Sequence, residues 1–281
     1  MTAHAGVAVP SGPSDAGTAP LIRIEHPAAG VALIVLARPA SRNSLSLAMI
    51  AALREAVATL GAAPDVRAIV LAADGPAFCA GHDLKELTAR RADADGGKAF
   101  YSQTMQACAA LMLSIVTCPK PVIAAVHAMA TAAGCQLVAS CDLAIAGSQA
   151  KFCTPGVNIG LFCSTPMVAL SRNVPRKRAM EMLLLGEVIT ASQAAEYGLV
   201  NRALAETEPL AAALEMASVI ASKSPATVAI GKEAFYRQLE MGLSDAYDYA
   251  AHVMVENMMH RDAVEGIGAF IEKRPPLWSG C

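Results

Sequence analysis

Twice along this chain an apolar run gives way to a loop of very small residues that opens a helical pattern. The first passes from Ile69-Val70-Leu71 to Phe78-Cys79-Ala80-Gly81-His82-Asp83-Leu84, the second from Val122-Ile123-Ala124 to Ala132-Ala133-Gly134-Cys135-Gln136. The start of a helix leaves backbone N–H groups unpaired at the positive end of the helix dipole. Small side chains let a ligand oxygen approach that backbone. Two such turns side by side would offer two N–H donors to an oxygen on which negative charge develops. Tight helix–strand packing also favours glycine and alanine, so these residues alone leave both readings standing. His82 is open in the same way, as a hydrogen-bonded structural histidine or as a site residue.

Metal chemistry has no residues to rest on. The eight cysteines (Cys79, Cys108, Cys118, Cys135, Cys141, Cys153, Cys163 and Cys281) form no C-x-x-C pair and no Cys/His ligand spacing. Most lie in apolar segments, where a free thiol behaves as a small hydrophobe. That usage fits a reducing compartment, and a cytoplasmic location is expected.

The elements that must position the two loops follow from periodicity. Val31–Leu36, Ala68–Leu71, Pro121–Val126 and Leu143–Ala146 read as strands. Helical patterns lie between them, one from about Ser46 to Leu60 with Leu47, Ile50, Leu53, Val57 and Leu60 on one stripe, another through Met105, Leu111 and Ile115. Strands alternating with helices predict an α/β class with a parallel, layered core. From about Leu210 to Phe270 only helical periodicity remains. The expected organisation is a flexible tail over 1–20, an α/β core over 21–205 and a C-terminal helical region over 206–281. The tail has no Lys or Arg and no continuous apolar stretch, and so lacks the pattern of a signal or transit peptide.

Composition narrows the partners. The chain is 54% hydrophobic and 16% charged, with a mean hydropathy of +0.42. Much of this is alanine, as expected where helices pack closely or subunit surfaces are buried. No apolar run reaches the roughly 18 uncharged residues that a membrane span needs. A formal net charge of −2 gives no electrostatic case for nucleic acid.

With these features in place, the chain resembles the crotonase (enoyl-CoA hydratase/isomerase) superfamily from about Ile22 to Trp278. The markers occur in order: Arg38 through Leu45, Phe78 through Leu84, Pro121 through Asp142, Thr190 through Val200, and Glu265 through Phe270. Within it, Thr154 through Pro166 and Ala130 through Asp142 look like the enoyl-CoA hydratase domain-containing protein 3 group. The resemblance implies a ClpP-like fold of repeated ββα units with a C-terminal helical region, assembled as a homotrimer or homohexamer. It implies an acyl-CoA ligand in fatty-acid metabolism, with chemistry of the lyase or isomerase type. CoA enters as part of the substrate, and no further cofactor is expected. The thioester carbonyl would lie between the backbone N–H groups of His82 and Ala133, an oxyanion hole. The CoA adenine would lie against Ala80, with Ser41 and Arg42 near the adenine and phosphates, and Phe270 and Lys273 completing the site. Arg42 also reads as a solvated surface charge, and Lys273 as a helix C-terminal charge.

The sequence departs from that pattern where proton transfer occurs. Hydration of a 2-enoyl thioester needs water deprotonated for attack at C3 and a proton delivered to C2, work for two carboxylates. By the resemblance, their places hold Gln136 and Gly156. An amide exchanges no proton near neutral pH, and glycine has no side chain. Asn158, Cys153, Cys163, Ser164, His82, Asp83, Glu86 and the acids of Arg90–Asp95 lie near enough in sequence to be considered as replacements. Two readings follow: an acyl-CoA enzyme with a relocated acid or base, or a catalytically silent acyl-CoA-binding or regulatory protein.

Overall fold

The computed structural model describes residues 20–280. The expected flexible tail, apart from Pro20, and Cys281 lie outside the described residues.

Strand β1 (Ile22–Ala28) and strand β2 (Val31–Leu36) form an antiparallel pair around Gly30. A one-turn 3-10 helix (Pro39–Ser41) leads to α1 (Leu47–Ala62), whose N-cap Ser46 accepts a hydrogen bond from the Met49 N–H at 3.2 Å. Next come β3 (Ala68–Ala73), β4 (Ala77–Cys79), α2 (Leu84–Ala89) and α3 (Lys98–Thr117). The following unit is β5 (Val122–Val126), β6 (Met129–Thr131) and α4 (Ala133–Ser140). After it come β7 (Leu143–Ala146), β8 (Lys151–Cys153), a 3-10 helix over Pro155–Ile159, α5 (Pro166–Asn173) and α6 (Arg176–Leu185). The short β9 (Ile189–Thr190), α7 (Ala191–Glu196) and β10 (Arg202–Ala203) close this part, and four helices follow: α8 (Leu210–Ala221), α9 (Pro225–Gln238), α10 (Leu243–Met259) and α11 (Arg261–Glu272).

The strands sort into two sheets. One has the order β1-β2-β3-β5-β7-β10 and is parallel from β2 onward; the other has the order β4-β6-β8-β9. Each of β3, β5 and β7 thus continues into a strand of the second sheet before a helix begins. This is the repeated ββα arrangement that the resemblance implies.

The large sheet is covered on both faces, which is why its strands read as unbroken apolar runs rather than alternating ones. Val31, Leu33, Val35, Val70, Ile123 and Ile145 pack on one face against Ala213, Ala217 and Ala221 of α8. Ala32, Ile34, Leu36, Ile69, Leu71 and Ala124 face the other cluster, which includes α1 and α3 residues such as Leu53, Leu111 and Ile115. Against the expectation that no apolar run is long enough for a membrane span, helix α3 is so by length and composition, but Cys108, Leu111, Met112 and Ile115 bury its face in this cluster.

Helices α9 and α10 bury no residue completely. One ion pair fastens α9 to the core. Lys232 Nζ donates to Asp142 Oδ2 at 2.7 Å and to the carbonyls of Ile115 and Lys120 at 2.9 and 3.1 Å. The Tyr236 hydroxyl donates to the other Asp142 oxygen at 3.0 Å.

Candidate active site

The two small-residue loops named from the sequence meet. Gly81, at φ +81°, turns the chain after β4, and a Cβ built on it would lie 2.9 Å from the Thr131 carbonyl oxygen and 3.2 Å from the Ala133 nitrogen. Gly134 is packed more tightly still. A Cβ there would sit 2.8 Å from the Cys79 carbonyl carbon and overlap its oxygen, so only glycine permits this approach.

A third segment completes the junction. The Ala80 N–H donates to the Arg42 carbonyl at 3.0 Å, and the Leu45 N–H donates to the Gly81 carbonyl at 2.7 Å. Asn43 organises this segment, a role the sequence reading did not assign. Fully buried, its side-chain oxygen accepts from the Arg38 N–H at 2.8 Å, and its amide nitrogen donates to the Asp74 and Ala77 carbonyls at 2.9 Å each. Arg42 and Asn43 both have φ near +53°, a conformation that asparagine tolerates better than most residues. An asparagine inside Arg38-Pro39-Ala40-Ser41-Arg42-Asn43 was the available signal.

The backbone donors are left free. Neither the His82 N–H nor the Ala133 N–H makes a hydrogen bond among the described residues, whereas their neighbours do: Asp83 N–H to the Leu45 carbonyl (3.4 Å) and Ala132 N–H to the Cys153 carbonyl (2.9 Å). Ala132 holds φ +51° and ψ −118° directly before Ala133, a strained conformation for a residue with a Cβ, of the sort that gathers at functional sites. Every residue of α4 is buried, which fixes its first turn.

Neither place expected to hold a carboxylate has one. Gln136, on α4, is 5% exposed, and its amide oxygen lies 4.0 Å from Cys108 Sγ. Its amide nitrogen makes no hydrogen bond among the described residues. Gly156 is buried, and a Cβ on it would meet the Leu161 carbonyl oxygen at 2.6 Å and Cys163 Sγ at 2.9 Å. The space beside residue 156 is therefore filled by the segment Leu161–Cys163.

The candidate replacement acids are engaged elsewhere. Asp83 caps α2, accepting from the Lys85 and Glu86 N–H groups at 3.0 and 3.2 Å and from the Ser44 hydroxyl at 3.1 Å. Glu86 accepts from the Leu47 N–H at 3.0 Å at the start of α1. Asp95 binds the N–H groups of Gly97 and Ala99 ahead of α3. The thiols are no better placed. Burial pushes Cys79 up to about 12 and Cys108 to about 11, and it raises Cys153 and Cys163 as well. Cys153 donates to the Thr131 hydroxyl at 3.1 Å. All are protonated thiols near neutral pH, and so poor nucleophiles.

His82 differs from all of these. Both of its ring nitrogens are shielded from solvent and neither has a hydrogen-bond partner; they are the only such side-chain atoms among the described residues. Burial lowers its pKa and so favours the neutral imidazole; the Leu45 backbone, which opposes this in part, lies near the ring but outside hydrogen-bond geometry.

Of the residues expected at the CoA, Ser41, Arg42 and Ala80 lie together beside the first loop. Phe270 and Lys273 sit on α11, where Phe270 is 85% exposed and Lys273 ends the helix at φ +54°. No hydrogen bond joins either of them to the two loops among the described residues.

Fold and loop junction together define a crotonase-fold protein. The model of the enoyl-CoA hydratase/isomerase family matches residues 26–281, and the chain belongs to that family. It is 46% identical over 274 residues to enoyl-CoA hydratase domain-containing protein 3, mitochondrial, of Rattus norvegicus, spanning 98% of this chain and 89% of that one. The solved structure of human enoyl coenzyme A hydratase domain-containing protein 3 is similar at 45% identity and a TM-score of 0.87, over 92% of this chain and 100% of that one. An enoyl-CoA hydratase of Mycobacterium smegmatis is similar at 50% identity and a TM-score of 0.87, over 92% of this chain and 99% of that one. The likeness to the domain-containing protein 3 group thus stands. The expected cytoplasmic location does not, because the relatives from rat, mouse and human are named as mitochondrial. Free thiols indicate a reducing environment and do not separate one reducing compartment from another.

Proposed function

We propose that this chain binds acyl-CoA thioesters and polarises the thioester carbonyl between the backbone N–H groups of His82 and Ala133, without the carboxylate pair of a two-glutamate hydratase. The observation that carries the reading is the junction itself: two unpaired N–H groups on loops in direct contact, one of them behind a strained Ala132. Donors fixed in this way stabilise charge on a carbonyl oxygen with no reorganisation when that charge forms. In this reading Ser41, Arg42 and Ala80 meet the CoA nucleotide, and Phe270 and Lys273 cover it from a C-terminal helix. CoA arrives with the substrate, and no separate cofactor takes part.

A second reading, a silent acyl-CoA-binding or regulatory protein, is favoured by one observation. The Leu161–Cys163 segment occupies the space where the second carboxylate would stand. Calorimetry with butyryl-CoA and a crotonyl-CoA hydration assay test the two together. Butyryl-CoA is expected to bind, and hydration to run at least about a thousandfold slower than in a two-glutamate enzyme, because at least one acid–base contribution of that size is missing. No heat of binding at millimolar ligand removes the proposal. Hydration at the rate of a two-glutamate enzyme shows that Gln136 and Gly156 have been misread, and undetectable turnover with tight binding favours the silent protein.

A further inference from the structure

Buried polar groups in folded proteins are almost always hydrogen-bonded, and each exception calls for an explanation. Here there is one exception among the described side chains, the imidazole of His82, and it is attached to the residue whose backbone N–H is the first free donor. The ring shares a Cα with that donor, so it stands within one side-chain length, roughly 6 Å, of the backbone that would hold the carbonyl. A neutral imidazole carries one N–H donor and one acceptor. The thioester carbonyl cannot satisfy it, because in the reading above that oxygen is already held by two backbone N–H groups. The Gln136 amide nitrogen, which has no protein partner but is not shut off from solvent, lies on the helix that carries the other backbone donor. With Gln136 and Gly156 in the carboxylate places, no negative charge there repels an oxygen-bearing acyl group.

We infer that the site selects acyl thioesters whose C3 carries an acceptor oxygen, 3-oxoacyl or malonyl-type groups, and that the His82 imidazole is the residue that recognises this oxygen. The inference rests on the acyl-CoA reading and adds the substrate class to it. Saturated and 2-enoyl chains leave the imidazole unpaired on binding, and a site with an unpaired buried polar group discriminates against the ligand that fails to fill it.

The test compares butyryl-CoA, acetoacetyl-CoA and malonyl-CoA by calorimetry on the wild type and on His82→Leu, with the thermal midpoint measured in parallel. The wild type is expected to bind acetoacetyl-CoA or malonyl-CoA at least roughly tenfold more tightly than butyryl-CoA. In His82→Leu that ratio should fall to near one, whatever common change the three affinities share. The thermal midpoint of His82→Leu should stay level or rise, since an unsatisfied buried group has been replaced by an apolar one of similar size. His82→Asn, which keeps an N–H donor, should restore part of the ratio. Equal affinities in the wild type overturn the inference while leaving acyl-CoA binding intact. So does an equal loss for all three ligands in His82→Leu, which would place the imidazole against the pantetheine or a trapped water. A lowered midpoint with an unchanged ratio makes His82 structural and overturns it too. Failure of every thioester to bind removes the acyl-CoA reading and the inference together.

Discussion

Gln136 and Gly156 stand in equivalent places by resemblance but differ in what they would tolerate. Glutamate is nearly isosteric with glutamine, and the Gln136 amide nitrogen gives up no hydrogen bond within the described residues on replacement. Gln136→Glu is therefore expected to fold with a stability within about 1 kcal/mol of wild type and to raise crotonyl-CoA hydration from its low base. A folded variant with unchanged turnover would show that residue 136 does not face the reacting carbons. Gly156→Glu behaves in the opposite way. Its Cβ would lie 2.6 Å from the Leu161 carbonyl oxygen and 2.9 Å from Cys163 Sγ, so the side chain must displace that segment. We expect a loss of about 1–3 kcal/mol from overpacking, read by chemical denaturation; an unchanged stability would mean that the segment yields freely. The sequence named both positions but showed at Gly156 only a missing side chain. The structure locates the constraint there in packing against residues five to seven positions further along, which no local pattern encodes.

At the scale of elements, legibility followed burial. The runs Val31–Leu36 and Val122–Val126 are buried end to end, so hydrophobicity alone marks β2 and β5. Strands β4, β6, β8, β9 and β10 have two or three residues each, too few for a period to show, and they owe their conformation to pairing, the first four within the second sheet and β10 against β7 in the first. β1 is mostly exposed and carries Pro27, so neither apolar alternation nor β-propensity marks it. The attachment of α9 was equally hidden, because it depends on a lysine and an aspartate 90 residues apart. Lys232 and Asp142 retain only 7% and 14% side-chain exposure. Breaking such a pair from one side leaves an uncompensated buried charge. Lys232→Met is expected to lower stability by about 3–5 kcal/mol, with α9 the first segment to gain amide exchange. A loss below about 1 kcal/mol would show that apolar contacts, not the ion pair, hold α9.

Over the whole molecule, many large apolar side chains are exposed among the described residues. Phe162, Met167, Val168, Met180, Leu184 and Leu185 are so on the Leu161–Leu185 segment, and Met254, Met258, Met259, Ile267, Phe270 and Ile271 on α10 and α11. Where such side chains gather into a patch they mark an association surface. Two different faces on one chain suit a closed ring of identical subunits, in keeping with the proposed trimer or hexamer and with a C-terminal helix able to bring Phe270 and Lys273 to a CoA site. Light scattering at micromolar concentration is expected to give a multiple of three chains, and a monomer would leave both faces unexplained. The central claim, a thioester carbonyl held by two backbone N–H groups, is tested most directly on the carbonyl itself. In isotope-edited infrared spectra of butyryl-CoA labelled with carbon-13 at the thioester carbonyl, saturating protein should move the carbonyl stretch to lower frequency, because two donors weaken that bond. A band that stays at the free-ligand frequency while calorimetry shows the site filled would contradict the account.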